Sequence, residues 1–194
     1  MKKKLLAIFL LVSSLTFSEE RILLFEEIFL DEKTEMVYAI GEETPYTGVV
    51  EDYKFLIKDR VLEGRVIFKN GLMEGTFKLL YPSGKIARIM TYKNGKREGE
   101  AIIYYENENV KQKSLFKNDK REGDLFMYYP SGKLCQTEKF INGKEDGEVI
   151  EYYESGVIKE KTYFINGKQE KEHFFYDEKG NLIKTDIYKN GVKQ

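Results

Sequence analysis

The chain has 194 residues, 34% of them charged, with 32 basic against 33 acidic side chains and a net charge of −1. That balance excludes the clustered basic surface that nucleic acid or anionic lipid rewards, so no nucleic-acid partner is expected. One cysteine, Cys135, and one histidine, His173, exclude an internal disulfide and a His/Cys metal site, and they leave histidine-assisted catalysis a single residue.

The chain opens "MKKKLLAIFLLVSSLTFSEE": three lysines, an apolar run from Leu5 to Val12, then small and polar residues to Ser18. This is the order of a secretory signal peptide, and its apolar core is shorter than the ~20 residues that span a bilayer. The expectation is a signal peptide over residues 1–18, an exported protein (periplasmic or secreted), and no stable membrane insertion after cleavage. Cleavage removes Lys2, Lys3 and Lys4 and no acid, leaving 29 basic residues against 33 acidic and a net charge of −4.

Residues 19–66 are less regular. "RILLFEEIFL" fits a first strand or a short helix, and "TPYTGVVEDYKFLI", Thr44 to Ile57, fits a hairpin arm arriving slightly out of period. The segment is read as an N-terminal cap with a first irregular repeat, since stacked arrays need capped ends.

From residue 67 to 194 the chain is periodic. The turn pair Asn-Gly stands at Asn70-Gly71, Asn94-Gly95, Asn142-Gly143, Asn166-Gly167 and Asn190-Gly191, with Asn118-Asp119 in register, a step of 24 residues each time. A second turn lies between them, at Pro82–Gly84, Pro130–Gly132, Glu154–Gly156 and Glu178–Gly180, with Glu106–Glu108 lacking the glycine. A third glycine recurs at Gly75, Gly99, Gly123 and Gly147, and Lys171 replaces it in the final copy. Two turns per period leave two segments of strand length. One is rich in aromatic and β-branched residues ("EAIIYY", "DLFMYY", "EVIEYY"). The other begins with an apolar residue (Ile86, Val110, Leu134, Ile158, Leu182) and ends in an aromatic one (Tyr92, Phe116, Phe140, Phe164, Tyr188). Strict alternation puts these two positions, six apart, on one face.

Each period is therefore a β-hairpin, and the fold class is all-β: an elongated single-layer antiparallel meander of stacked β-hairpins. Stacking sets Tyr105, Tyr129 and Tyr153 in one ladder after Tyr81, and Tyr104, Tyr128 and Tyr152 in another on the opposite face, with cross-strand aromatic contacts of about 0.2–1 kcal/mol each. Positive φ at Asp119 would make Asp119→Gly stabilising by roughly 0.4–1 kcal/mol. No cap is evident after Asn190-Gly191, which leaves an expected sticky edge.

The "PYTG" at Pro45–Gly48 and the repeated "Y/F-x-N-G-K-x-x-G" followed by "Y-Y-x-x-G" resemble the MORN-repeat-variant proteins of bacteria, over roughly Pro45 to Gln194. The resemblance implies a MORN-like solenoid, no cofactor, no catalytic residue and, for many members, an antitoxin role in toxin–antitoxin systems. Asp119, Glu108 and Lys171 depart from the pattern.

Two functional surfaces stand out. The tyrosine ladders form an aromatic surface for a glycan or peptide, or simply bury the large side chains a thin sheet needs. Lys96, Lys120, Lys144 and Lys168 form a basic edge for an acidic partner, or a solvated edge that resists aggregation, with Glu98, Glu122, Asp146 and Glu170 partly neutralising it. The favoured function is a non-catalytic protein-interaction module, antitoxin- or immunity-type, with another protein as partner. The alternative is a cell-wall or carbohydrate-binding protein that uses the aromatic ladders.

Overall fold

A computed structural model describes residues 21–57 and 60–194. The signal peptide expected over residues 1–18 lies outside the described residues. Strands β1 (Ile22–Leu23), β2 (Ile28–Asp31), β3 (Met36–Ala39) and β4 (Gly48–Ile57) come first, with one 3-10 turn at Phe25–Glu27, so the ambiguous "RILLFEEIFL" is part strand and part single helical turn. The meander continues through β5 (Arg60–Lys69), β6 (Leu72–Met73), β7 (Gly75–Leu80), β8 (Ile86–Lys93), β9 (Lys96–Tyr104) and β10 (Val110–Lys117). It ends through β11 (Lys120–Arg121), β12 (Gly123–Tyr128), β13 (Leu134–Ile141), β14 (Lys144–Glu145), β15 (Gly147–Tyr152), β16 (Ile158–Ile165), β17 (Lys168–Tyr176), β18 (Leu182–Lys189) and β19 (Val192–Lys193).

Among the described residues the pairings that follow β4 are antiparallel and join each strand to the next or, past the two-residue strands β6, β11 and β14, to the next but one, so the expected meander of stacked hairpins is what forms. The sheet stays open. β1 adds a parallel edge to β4, and β2–β3 form a separate two-stranded sheet. Among the described residues the buried apolar side chains concentrate between Val37 and Ala87, where Tyr46, Val50, Val66 and Phe68 are almost wholly enclosed. The later hairpins are a single layer with half-buried side chains on both faces.

One expectation about the faces is overturned. Leu79 pairs with Arg88 but Leu80 pairs with Ile86, which leaves Ala87 as an extra residue, a β-bulge. The same shift recurs at Lys111, Cys135, Lys159 and Ile183. The bulge breaks the alternation, so Ile86, Val110, Leu134, Ile158 and Leu182 lie on the face opposite Tyr92, Phe116, Phe140, Phe164 and Tyr188.

Candidate functional site

Each hairpin is joined to the next at both of its ends. At one end the Tyr81 hydroxyl donates to the carbonyl of Tyr104, Tyr105 to Tyr128, Tyr129 to Tyr152 and Tyr153 to Tyr176, over 2.5–2.8 Å. The ladder holding Tyr105, Tyr129 and Tyr153 is thus built of hydroxyl–carbonyl bonds. It is not built of ring contacts, which corrects the expected aromatic ladder. Same-column rings are separated by two strand spacings, ~9.6 Å, beyond the 4.5–7 Å of an aromatic pair. Tyr104, Tyr128 and Tyr152 point to the opposite face, half-buried, beside Val110, Leu134 and Ile158.

At the other end the acids cap the turns. Glu74 accepts from the backbone N–H of Asn94, Glu98 from Asn118, Glu122 from Asn142, Asp146 from Asn166 and Glu170 from Asn190, at 2.7–3.1 Å. These carboxylates reach forward to the next repeat's turn and are not chiefly a counter-charge for the lysines. The positive φ of Gly75, Gly99, Gly123 and Gly147, each directly after its acid, kinks the backbone to aim the carboxylate there. The second residue of each turn also donates its N–H back to the preceding repeat, Gly95 to the Met73 carbonyl and Gly143 to Arg121. In the N-terminal region Thr47 takes the acid's part, its hydroxyl accepting from the N–H of Asn70 at 2.8 Å, while buried Tyr46 accepts from Gly71 through its carbonyl. The sequence reading missed this use of "PYTG"; the 23-residue distance from Thr47 to Asn70, close to one period, was the available signal.

Lys96, Lys120, Lys144 and Lys168 are exposed along this turn edge. The stems of Lys120, Lys144 and Lys168 run close beneath the glycine of the following turn.

The face that carries Tyr81, Tyr105 and Tyr129 also holds two clefts built from equivalent positions of different repeats. The first, about 220 Å³, is lined by Phe55, Ile57, Phe77, Leu79, Arg88, Met90, Tyr92 and Arg97. The second, about 250 Å³, is lined by Gln136, Glu145, Val149, Glu151, Glu160, Thr162, Phe164, Gln169 and His173. Since 136 and 160 are 48 and 72 residues beyond 88, and 145 is 48 beyond 97, the two separate clefts lie on the same face of the sheet, the groove face. Its character changes along the array. Near the first cleft burial draws the Arg88 guanidinium below the usual arginine range. Arg97 lies 4.4 Å over the Phe116 ring and pairs with Asp119 at 2.9 Å; Arg121 lies 5.3 Å over Phe140. Toward the second cleft the face turns acidic. Glu138 is held above the usual carboxylate range by burial and then by Glu145, with Arg121 easing it back. Glu151 pairs with Lys159 at 2.8 Å, and Glu160 lies 3.1 Å from Nε2 of His173, a ring 4.0 Å from that of Phe175.

His173 is thereby placed among Glu160, Gln169 and Phe175. Among the described residues no group of three or more His, Cys, Asp or Glu is placed to hold a metal ion, and no helix is long and apolar enough to cross a membrane.

No curated protein matches the chain. Four consecutive segments, residues 73–94, 97–118, 121–142 and 145–166, match the family model described as MORN repeat variant. Each matched unit begins at a strand residue (Met73, Arg97, Arg121, Glu145) and ends at the asparagine of the following turn, so these four stretches are similar to MORN repeat variants and the chain is a repeat protein.

Proposed function

We propose that the chain is an exported, non-catalytic interaction scaffold whose groove face receives a segment of another protein. The observation that carries this reading is a pair of clefts on one face of the sheet, made from the same columns of different repeats, with arginines at one and glutamates at the other. Export rests on the pattern of residues 1–18. An antitoxin- or immunity-type role is one form of such an interaction, with a toxic protein as partner. The tyrosines offered as a glycan platform support that reading less, because the hydroxyls of Tyr105, Tyr129 and Tyr153 already serve neighbouring repeats. The lysine row remains an exposed secondary contact.

The test is affinity capture of a tagged chain, Glu19 to Gln194, from the native cell envelope, in parallel with Glu145→Lys. The expected result is one near-stoichiometric protein whose recovery falls with the substitution. Retention on cell-wall material, with no protein enriched, would overturn the scaffold reading in favour of the carbohydrate one.

A further inference from the structure

Resting on the groove reading, we infer that the partner segment is a polypeptide with its charges in two blocks, acidic residues over Arg88 and Arg121 and basic residues over Glu138, Glu145 and Glu160. Neither Arg88 nor Arg121 has an ion pair among the described residues, and neither has Glu138 or Glu145. The cations come first along the array and the acids follow, the two meeting where Arg121 acts on Glu138. Between Arg88 on β8 and Glu160 on β16 lie six strand-to-strand steps, through β9, β10, β12, β13 and β15. At ~4.8 Å each these span ~29 Å, which an extended segment of ~9 residues covers.

The middle of this path has its own demand. Ser114, 5% exposed, has a hydroxyl with no hydrogen-bond partner, and the Nε of Arg121 is buried without an acceptor. Buried polar groups are nearly always bonded, so two orphans under one groove mark where acceptors are missing. A polypeptide supplies both signs of charge along this path. Nucleic acid and anionic lipid carry one sign and are repelled at the Glu138–Glu160 end. Charge order of this kind fixes the register of a partner more than its raw affinity.

Two twelve-residue peptides of one composition test the inference by fluorescence anisotropy with the full chain. One has four glutamates, four neutral spacers and four lysines in blocks; the other interleaves them. The block peptide is expected to bind at least tenfold more tightly in low salt. The double variant Glu138→Lys with Glu145→Lys is expected to lose that preference and take an all-glutamate peptide instead, while Glu172→Lys on the opposite face leaves binding unchanged. Should the double variant fail to fold, amide-shift mapping on the unaltered chain decides: the block peptide is expected to move Arg88, Ser114, Arg121 and Glu145. Equal affinity for the two peptides, mapping to Tyr104, Tyr128 and Tyr152, or a dimer in sedimentation that Glu145→Lys disperses would each overturn it. Capture of a single envelope protein together with equal peptide affinities leaves the scaffold standing and removes the charge order alone.

Discussion

At Glu108 the backbone enters the left-handed region, φ +70°, where neighbouring repeats place Gly84, Gly132, Gly156 and Gly180. Asp119 (φ +65°) and Lys171 (φ +67°) do the same at the other two glycine positions. The geometry of the repeat therefore overrides the residue, and spacing alone made these departures legible in the sequence. Their energetic context was not legible. Left-handed φ costs a non-glycine residue about 1–2 kcal/mol, and glycine's greater freedom when unfolded returns about 0.4–1 of that. Glu108 has only an exposed pair with Lys85 at 3.5 Å to lose, so Glu108→Gly is expected to stabilise by about 0.5–1 kcal/mol in urea denaturation. Asp119 differs, because its carboxylate accepts from both the backbone N–H and the Nε of Arg97. Aspartate also tolerates the left-handed region better than glutamate. The gain expected from sequence for Asp119→Gly is thus corrected to within about 0.5 kcal/mol of zero at low salt, becoming more favourable as salt screens the ion pair. A stabilisation of Asp119→Gly equal to that of Glu108→Gly at low salt would show that the Arg97 bonds contribute nothing.

The hairpin was readable from the glycines, but the bulge inside it was not. Its extra residue (Ala87, Lys111, Cys135, Lys159, Ile183) sits within a constant 24-residue step and so leaves no mark on the period. That is why the two ends of each returning strand were assigned to one face. The forward reach of the tyrosines was likewise invisible, because alternation says which face a ring occupies and nothing of where its hydroxyl goes. Tyr129→Phe removes one hydroxyl–carbonyl bond and keeps the ring, and is expected to cost about 0.5–1.5 kcal/mol in thermal or urea unfolding. No loss would reduce the ladder to ring burial. Glu138 carries a pH signature of the opposite sense to a salt-bridged acid. Its folded-state pKa is raised by burial and by Glu145, so its contribution to stability is fully present below the unfolded carboxylate range. That contribution is lost as pH rises through the raised value. Glu138→Gln keeps an oxygen to accept from Gln136 and is expected to raise the melting temperature at pH 7. The benefit should shrink on acidification to pH 4; a benefit independent of pH would remove ionisation as its cause.

On the scale of the whole molecule, burial is graded. The enclosed apolar side chains gather between Val37 and Ala87, continue at Ala101, Phe116, Leu125 and Phe140, and then cease among the described residues. In β18 and β19, Leu182, Ile183, Ile187 and Val192 are more than half exposed, and Asp186, held below the usual carboxylate range by Lys184 and then Lys193, supplies an ionic clamp instead. Native-state hydrogen exchange is expected to show the strongest protection in β4, β5 and β7 and the earliest opening in β17–β19. Uniform protection along the array would mean that the repeats unfold as one unit. The repeats and their stacking order were legible in the sequence. The charge gradient of the groove face was not, because the bulge decides which side chains share that face. Each repeat leaves bonds that only the next repeat completes. Glu98 waits for Asn118, Tyr105 for Tyr128, and the Arg121 carbonyl for Gly143, so each finished hairpin presents an unfilled set of acceptors and donors to the chain that follows it. A polypeptide emerging from its N-terminus would meet, at each step, an edge already shaped for the next 24 residues, and its growth would be templated like a crystal face that admits one new row at a time.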